Sequence, residues 1–344
     1  MHCRQKLLKC APIIIPTLNR KEHLERCITS LANNVLANQT EIFISVDYPP
    51  SSKYETGYQE VLAYLRKNTY LHSAFKKVTI FYQTNNLGPC GNTDFLENKI
   101  KVKYDRYIYT EDDNEFSPNF LEYVNKGLEI FENVENIIAV CGCKDTSYIS
   151  KNNFLASKLF PAYGVGRWVE KDKRMKINIS KVLLDKKVYS GKIMDILKKN
   201  NRTLYNIYIT NVLMGNKMPY WCDGDLRNID SVISIYLHIS DFICIVPLIS
   251  KSRTWGNDGS GVNMLKTNTN VEENIIDCMT TFDFDKVDDN IEFNDLNYGI
   301  GNEYMEKCNS KKFNLKADIF YIVLKLCKYN RIMAKKIVMR IFGV

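Results

Sequence analysis

The sequence predicts an α/β fold: a mostly parallel central sheet flanked by helices, with a C-terminal helical extension. Three observations predict it. Short apolar runs alternate with helical patterns along the first half of the chain, which implies parallel strands joined by helices that cover both faces. Apolar residues make up 45% of the 344 and charged residues 25%, which fits a packed globular chain and excludes a mostly disordered one. Residues 313–344 interleave apolar side chains with Lys and Arg, the pattern of one or two basic amphipathic helices.

The elements follow in order. Ala11–Pro16 is a first strand, ending at Pro16-Thr17-Leu18-Asn19-Arg20. Leu24, Cys27, Ile28 and Leu31 then recur at helical spacing. Glu41–Val46 is a second strand, stopped by Asp47-Tyr48-Pro49-Pro50. A helix over Tyr54–Lys67 leads to a third strand, Val78–Tyr82, which ends in Asn85-Asn86-Leu87-Gly88-Pro89 before another helix. Tyr107-Ile108-Tyr109 is a fourth strand, closed by Glu111-Asp112-Asp113. Phe116-Ser117-Pro118 opens a helix through Phe131, and Val134–Val140 is a fifth strand. Beyond it, Lys171–Arg202 is helical in part, Tyr220–Asp225 is an aromatic turn and Ile229–Ile239 is a helix. Phe242–Val246 is a strand broken by Pro247, and Asn257–Gly261 is a loop.

The net charge of +8 is a near-cancellation of unlike parts. Residues 267–310 carry eleven acids and two Lys, whereas residues 311–344 carry nine Lys/Arg and one acid, Asp318. The expected organisation is a catalytic region over 1–266 with a donor half at about 1–145 and an acceptor half at about 146–266, an acidic connector over 267–310 and a basic tail over 311–344. The tail suits an anionic membrane surface, and equally a helix packed on the protein with its basic face outward; the acidic connector just before it is a competing partner within the chain. No apolar stretch is long enough to span a bilayer, and the N-terminus has no export signal. The eleven cysteines are scattered and odd in number, so most are expected to be reduced core residues. No Gly-x-Gly-x-x-Gly follows the first strand and no Walker motif occurs, so neither a dinucleotide site nor a P-loop is supported.

Ligands of parallel sheets sit beyond the carboxyl ends of the strands. There the sequence places Arg20, Asp47, Asn86 and the triplet Glu111-Asp112-Asp113. Consecutive carboxylates repel one another unless a cation compensates, and hard oxygen ligands suit Mg²⁺ or Mn²⁺. Such a triplet also suits a solvated turn before a helix N-terminus.

In this order, Ile14-Ile15-Pro16-Thr17-Leu18-Asn19-Arg20, Ser45-Val46-Asp47, Asn86-Leu87-Gly88 and Glu111-Asp112-Asp113 resemble a GT-A nucleotide-sugar glycosyltransferase. The pattern is similar to the family 2-like bacterial enzymes and to N-acetylglucosaminyltransferase I. Tyr163–Trp168 and Trp255–Gly261 extend the resemblance over about residues 11–265. It implies that Arg20 and Asp47 contact the nucleotide base, that Asn86 and Gly88 belong to the donor site, and that Glu111 and Asp112 lie near ribose and sugar. Asp113 would hold Mn²⁺ or Mg²⁺ on the diphosphate, and Asp258-Gly259-Ser260 would approach a phosphate or close as a lid. Arg20 also fits a surface helix start, and Asp47 a simple turn cap.

Inverting transfer needs a general base on the acceptor hydroxyl. In the families resembled the base stands at a set spacing before a Pro that ends the next strand, and counting back from Pro247 selects Asp230. Ile229 stands where those families have Trp, so Asp223 and Asp225, just after Trp221, stay open. One of Trp168, Trp221 and Trp255 is expected to line the acceptor site, since aromatic rings stack on sugar faces. The expectation is therefore an inverting, metal-dependent transferase moving a sugar from a nucleotide diphosphate, UDP favoured, to a glycan or lipid-linked glycan. Its setting would be bacterial surface polysaccharide synthesis, in the cytoplasm or on the inner face of the plasma membrane. A nucleotidyltransferase and a non-enzymatic polyanion binder are the alternatives; nucleic acid is not an expected partner because no such motif occurs.

Overall fold

A computed structural model describes residues 9–143, 154–183, 191–200, 202–207, 209, 229–258, 260, 315–328 and 330–342. The chain begins with β1 (Ile13–Thr17), α1 (Lys21–Ala32), β2 (Glu41–Val46), α2 (Glu55–Lys67), α3 (Thr69–Ala74), β3 (Lys77–Tyr82) and α4 (Gly88–Ile100). It continues with β4 (Arg106–Tyr109), β5 (Asn114–Phe116), α5 (Phe120–Ile130), β6 (Ile137–Cys141), β7 (Phe154–Ser157), β8 (Val165–Trp168) and α6 (Val169–Leu183). Then come α7 (Gly191–Asn200), α8 (Arg202–Ile207), α9 (Ile229–Ile239), β9 (Ile243–Pro247), β10 (Ser252–Thr254) and two C-terminal helices, Leu315–Leu326 and Arg331–Phe342.

The main sheet has eight strands in the order β3-β2-β1-β4-β8-β6-β9-β7. β3, β2, β1 and β4 are parallel neighbours, as are β6 and β9. β8 runs antiparallel between β4 and β6, and β7 is antiparallel to β9. β5 and β10 form a separate two-stranded antiparallel ribbon. The expected α/β architecture and its C-terminal helical extension are present.

Strand alternation divides the core. Ile13 and Ile15 of β1 pack on one face with Leu24, Cys27, Ile28 and Leu31 of α1 and with Val61 and Leu65 of α2. Ile14 points to the other face, against Leu96 and Ile100 of α4. Each of these side chains is fully or almost fully buried, which stabilises the fold by about 1.5–3 kcal/mol apiece relative to exposure. A second core gathers β6–β9 with α6, α7, α9 and the inner faces of the C-terminal helices, through Leu155, Met194, Ile235, Phe320, Leu324 and Val338. The tail therefore packs on the protein along one face. Cys27, Cys141, Cys143 and Cys244 are buried thiols, as expected of small core residues. Among the described residues no helix is long and apolar enough to cross a membrane.

Two expectations change. Phe116 does not begin a helix; it pairs with Ser252 across the β5–β10 ribbon, and α5 starts at Phe120. The fifth strand starts at Ile137, because Val134 and Ile137 first close a turn, their N–H groups donating to the carbonyls of Phe131 and Val134. Tyr163–Trp168 supplies an internal strand of the main sheet. The turn over Tyr220–Asp225 and the acidic segment 267–310 lie outside the described residues.

A buried charge network ties α4 to β4, β8 and α6. Glu97 accepts from Lys101 (2.7 Å), Lys176 (2.6 Å) and the Tyr107 hydroxyl (2.9 Å), while Asp172 pairs with Arg167 (3.0 Å) and Lys176 (3.2 Å). Burial alone would raise the Glu97 carboxyl, but Lys176, Lys101 and Arg167 hold it down at about 2. That lies below its ordinary 4.5, so the stability it contributes is present above pH 4.5 and is lost as pH falls towards 2. Glu97→Gln is expected to flatten the acid limb of a stability–pH profile measured by urea unfolding. An unchanged acid limb would assign that limb to other carboxylates.

Candidate active site

The carboxyl edge of the parallel strands gathers the polar residues picked from the sequence. Beyond β1, the Arg20 guanidinium bridges two acids that follow β4: Nη1 donates to Asp113 Oδ2 at 2.8 Å, and Nη2 to Asp112 Oδ1. The second Asp112 oxygen accepts from the Thr17 hydroxyl at 2.7 Å. Both Asp112 oxygens are thus engaged within the protein. Burial raises the Asp112 carboxyl, Arg20 and Thr17 pull it down and Asp113 pushes it up, so it stays above the ordinary carboxylate range. Glu111 points outward, where the Tyr109 hydroxyl meets it at 3.2 Å.

Asp113 is the exception among the three. It is buried, Arg20 takes one of its carboxylate oxygens, and Oδ1 has no hydrogen-bond partner among the described residues. An anionic oxygen left buried and unpaired is costly unless a cation meets it. Among the described residues no three His, Cys, Asp or Glu side chains are grouped to hold a metal ion. The fit is that of a cation held through one carboxylate, with the rest of its shell from phosphate and water, as Mg²⁺ and Mn²⁺ accept.

Asp47, after β2, is also buried. Its Oδ1 accepts from the backbone N–H of Tyr48 (2.9 Å) and Leu87 (2.8 Å), and its Oδ2 from the Asn86 amide (3.2 Å). Burial lifts its carboxyl above the usual range against these backbone donors. Asp47 and Asn86 therefore knit the ends of β2 and β3 together. Gly88 opens α4 at φ +71°, a left-handed conformation that glycine adopts without strain.

A second layer joins Trp255, Asp258 and Ser260 to residues that the sequence did not single out. The β5–β10 ribbon leads Trp255 over the acids, and the Trp255 N–H donates to the Asp113 carbonyl at 2.8 Å. The centre of the indole is 4.4 Å from the guanidinium carbon of Arg26 and 4.9 Å from that of Arg253, and its Nε1–H donates to Glu115 at 2.8 Å. Asp258 meets His23 of α1 at 2.9 Å and accepts from the Ser260 N–H at 2.8 Å. Burial works to raise the Asp258 carboxyl, but Ser260 and His23 draw it down to about 2. Thr17, His23, Arg26, Glu115, Arg253 and Gly256 are the residues the sequence did not single out. Thr17, Glu115 and Gly256 stand inside or beside the quoted motifs, and His23 and Arg26 follow Arg20 at helical spacing on the face that Asp258 and Trp255 meet.

Gly256 is required by its neighbour. A Cβ there would stand 2.5 Å from Asp113 Oδ2. Gly256→Ala is expected to displace that carboxylate and to lower turnover about a hundredfold, the scale of a 1 Å misplacement at a reacting centre. A turnover assay checks it, and wild-type turnover would show that the loop yields instead.

Not every candidate is gathered here. Trp168 is buried in the core, its Nε1–H donating to the Leu128 carbonyl at 3.1 Å and its ring 3.9 Å from the Lys171 ammonium, so it packs the fold. Trp255, 40% exposed, is the described tryptophan that faces outward. Asp230 falls in the first turn of α9. Trp221, Asp223, Asp225 and Gly259 lie outside the described residues.

The model of one protein family, Glycosyl transferase family 2, matches residues 13–188, half of the chain. The chain belongs to that family. The family 2 region runs from β1 through α6 and so contains Arg20, Asp47 and Asp113. Solved structures similar to this family 2 chain include TarS 1-349 of S. aureus, at 11% identity and a TM-score of 0.34, covering 48% of this chain and 50% of that one. The mannosyltransferase PcManGT from Pyrobaculum calidifontis, in complex with GDP-Man and Mn2+, is similar at 12% identity and a TM-score of 0.36, covering 48% and 46%. TarS 1-349 in complex with UDP-GlcNAc is similar at 12% identity and a TM-score of 0.33, covering 48% of each chain. The chain thus spans about half the length of the structures it matches. A search of curated proteins found no match.

Proposed function

We propose that this family 2 chain is an inverting glycosyltransferase that takes a sugar from a nucleotide diphosphate, UDP favoured, and places it on a hydroxyl of a glycan or lipid-linked glycan. Its setting is bacterial surface polysaccharide synthesis on the cytoplasmic side of the membrane. The observation that carries the reading is the buried, half-satisfied Asp113 carboxylate at the carboxyl edge of the sheet. Asp113 would hold Mn²⁺ or Mg²⁺, which would supply positive charge to the leaving diphosphate.

The chain's own groups do the rest. Arg20 and Asp47 meet the base, with Asn86 and Gly88 beside them in the donor site; Glu111 and Asp112 lie near ribose and sugar, and Arg20 also holds Asp113 in place; Trp255, Asp258 and Ser260 cover the diphosphate side. Trp255 lines the acceptor site, with a ring face freed for a sugar when Arg26 or Arg253 moves aside. Asp230, or failing it Asp225 or Asp223, takes the proton from the acceptor hydroxyl as that oxygen bonds to the sugar carbon and the bond to the diphosphate breaks. The 1–266 catalytic region, with its two halves, is part of the proposal.

The test is a thermal-shift panel of UDP- and GDP-sugars with and without Mn²⁺, followed by transfer assays. A nucleotide-dependent shift that needs the metal is expected. Asp230→Asn is expected to keep that shift and lose transfer by about 10²–10⁴-fold, the worth of a general base. Full transfer in that variant moves the role to Asp223 or Asp225. No shift with any nucleotide sugar overturns the reading.

A further inference from the structure

The two C-terminal helices are two-faced. Ala317, Phe320 and Leu324 of the first and Ala334 and Val338 of the second are buried in the core. On the outer side Ile322, Leu326, Ile332 and Met333 are 57%, 78%, 71% and 53% exposed. Ile322, Lys325 and Leu326 share one stripe of the first helix; Ile332, Lys336, Met339 and Arg340 share one stripe of the second. Lys328, between the helices, is also exposed. Asp318, the one acid between residues 315 and 342, turns inward to Lys198 and Arg202.

Large aliphatic side chains at this exposure on neighbouring helices mark an interaction surface rather than scattered surface residues. Asp195 meets Lys325 at 3.3 Å, but Lys328, Lys336 and Arg340 leave this face in cationic excess, which sets the sign of the partner. Each helix has 12 residues, too short to cross a bilayer. We propose that this outer face lies on an anionic lipid surface, with the aliphatic side chains in the headgroup–acyl boundary and the Lys and Arg at lipid phosphates. The helices are folded and anchored before they meet the lipid, so binding carries no cost of ordering them. The surface shares no residue with the proposed transfer site, and the proposal stands or falls independently of the transfer reading.

Co-sedimentation of the full chain with vesicles tests it. Binding to phosphatidylcholine containing phosphatidylglycerol is expected, with weaker binding to phosphatidylcholine alone and weakening as salt is raised. Lys328→Gln, Lys336→Gln and Arg340→Gln are expected to weaken binding roughly fivefold each, and about a hundredfold together. Leu326→Ser with Ile332→Ser is expected to weaken it at unchanged charge. All five positions are exposed, so circular dichroism melts are expected to match wild type, and nucleotide shifts in the same variants read the transfer site separately. No preference for anionic vesicles, or full binding by the triple variant, overturns the proposal. A concentration-dependent dimer without vesicle binding assigns the face to a second copy and also overturns it.

Discussion

An Asp113→Asn chain is expected to lose metal-dependent nucleotide binding and at least about 10²–10³-fold of its transfer rate, while its unfolding midpoint holds or rises. The substitution keeps the shape of the side chain and removes its charge. In the native chain Oδ2 is taken by Arg20 and Oδ1 is buried without a partner, so the carboxylate costs stability where it stands. Its neighbour Asp112 adds repulsion, and Arg20 has two acids to serve. Neutralising Asp113 relieves both, whereas a cation on the diphosphate loses its protein ligand. A loss of that size is comparable with removing one preorganised group that stabilises transition-state charge. Calorimetric titration of UDP with and without Mn²⁺, beside urea unfolding, measures both halves. Metal-dependent binding that survives intact would remove Asp113 from the proposed role.

Arg20→Ala acts in the opposite sense. It removes the guanidinium that bridges Asp112 and Asp113 and leaves two buried carboxylates facing each other. Breaking a buried ion pair from one side costs about 3–5 kcal/mol. The Arg20 side chain is only 18% exposed and its partners 4% and 7%, so solvent does little to soften the loss. Arg20→Lys is expected to recover part of it, since an ammonium cannot reproduce the two-pronged contact. Combining Arg20→Ala with Asp113→Asn should recover more, because one of the two exposed costs is gone. Urea unfolding of the four chains closes that cycle. Equal midpoints for wild type and Arg20→Ala would mean that water replaces the guanidinium.

The parts of the fold readable in the sequence are those whose partners are near in the chain. Leu24, Cys27, Ile28 and Leu31 announce α1 through their spacing alone, and all four are buried. Glu41–Val46 and Ile229–Ile239 have the bounds expected of them for the same reason. The short strands β5, β7, β8 and β10 have only three or four residues, too few for a period to show, and their pairing comes from remote segments. Phe116 illustrates this: next to Ser117-Pro118 it reads as a helix start, and only its pairing with Ser252 makes it a strand residue. The site follows the same rule. Asp47 and the acids after β4 were visible as strand ends, but the bridge from Arg20 to Asp112 and Asp113, and the clasp of His23 on Asp258, join residues that nothing local connects. Trp168 was misleading because an aromatic residue beside glycines fits a sugar platform and a packed core equally well; its buried indole fills the latter place.

The position of β8 carries a consequence for how the chain can be made. β4 pairs with β1 on one side and β6 with β9 on one side; the facing edges of β4 and β6 meet only through Val165–Trp168. During synthesis β4 and β6 leave the ribosome well before β8. Until it arrives, two strands hold open backbone donors and acceptors, the kind of edge that recruits foreign strands. A fragment ending near residue 145 would keep both edges permanently, so it would be expected to aggregate when expressed alone. Extending it through Trp168 and α6 would supply the missing wedge and shield both, which makes the end of α6, rather than the end of β6, the earliest stopping point for a fragment with no open seam in its middle.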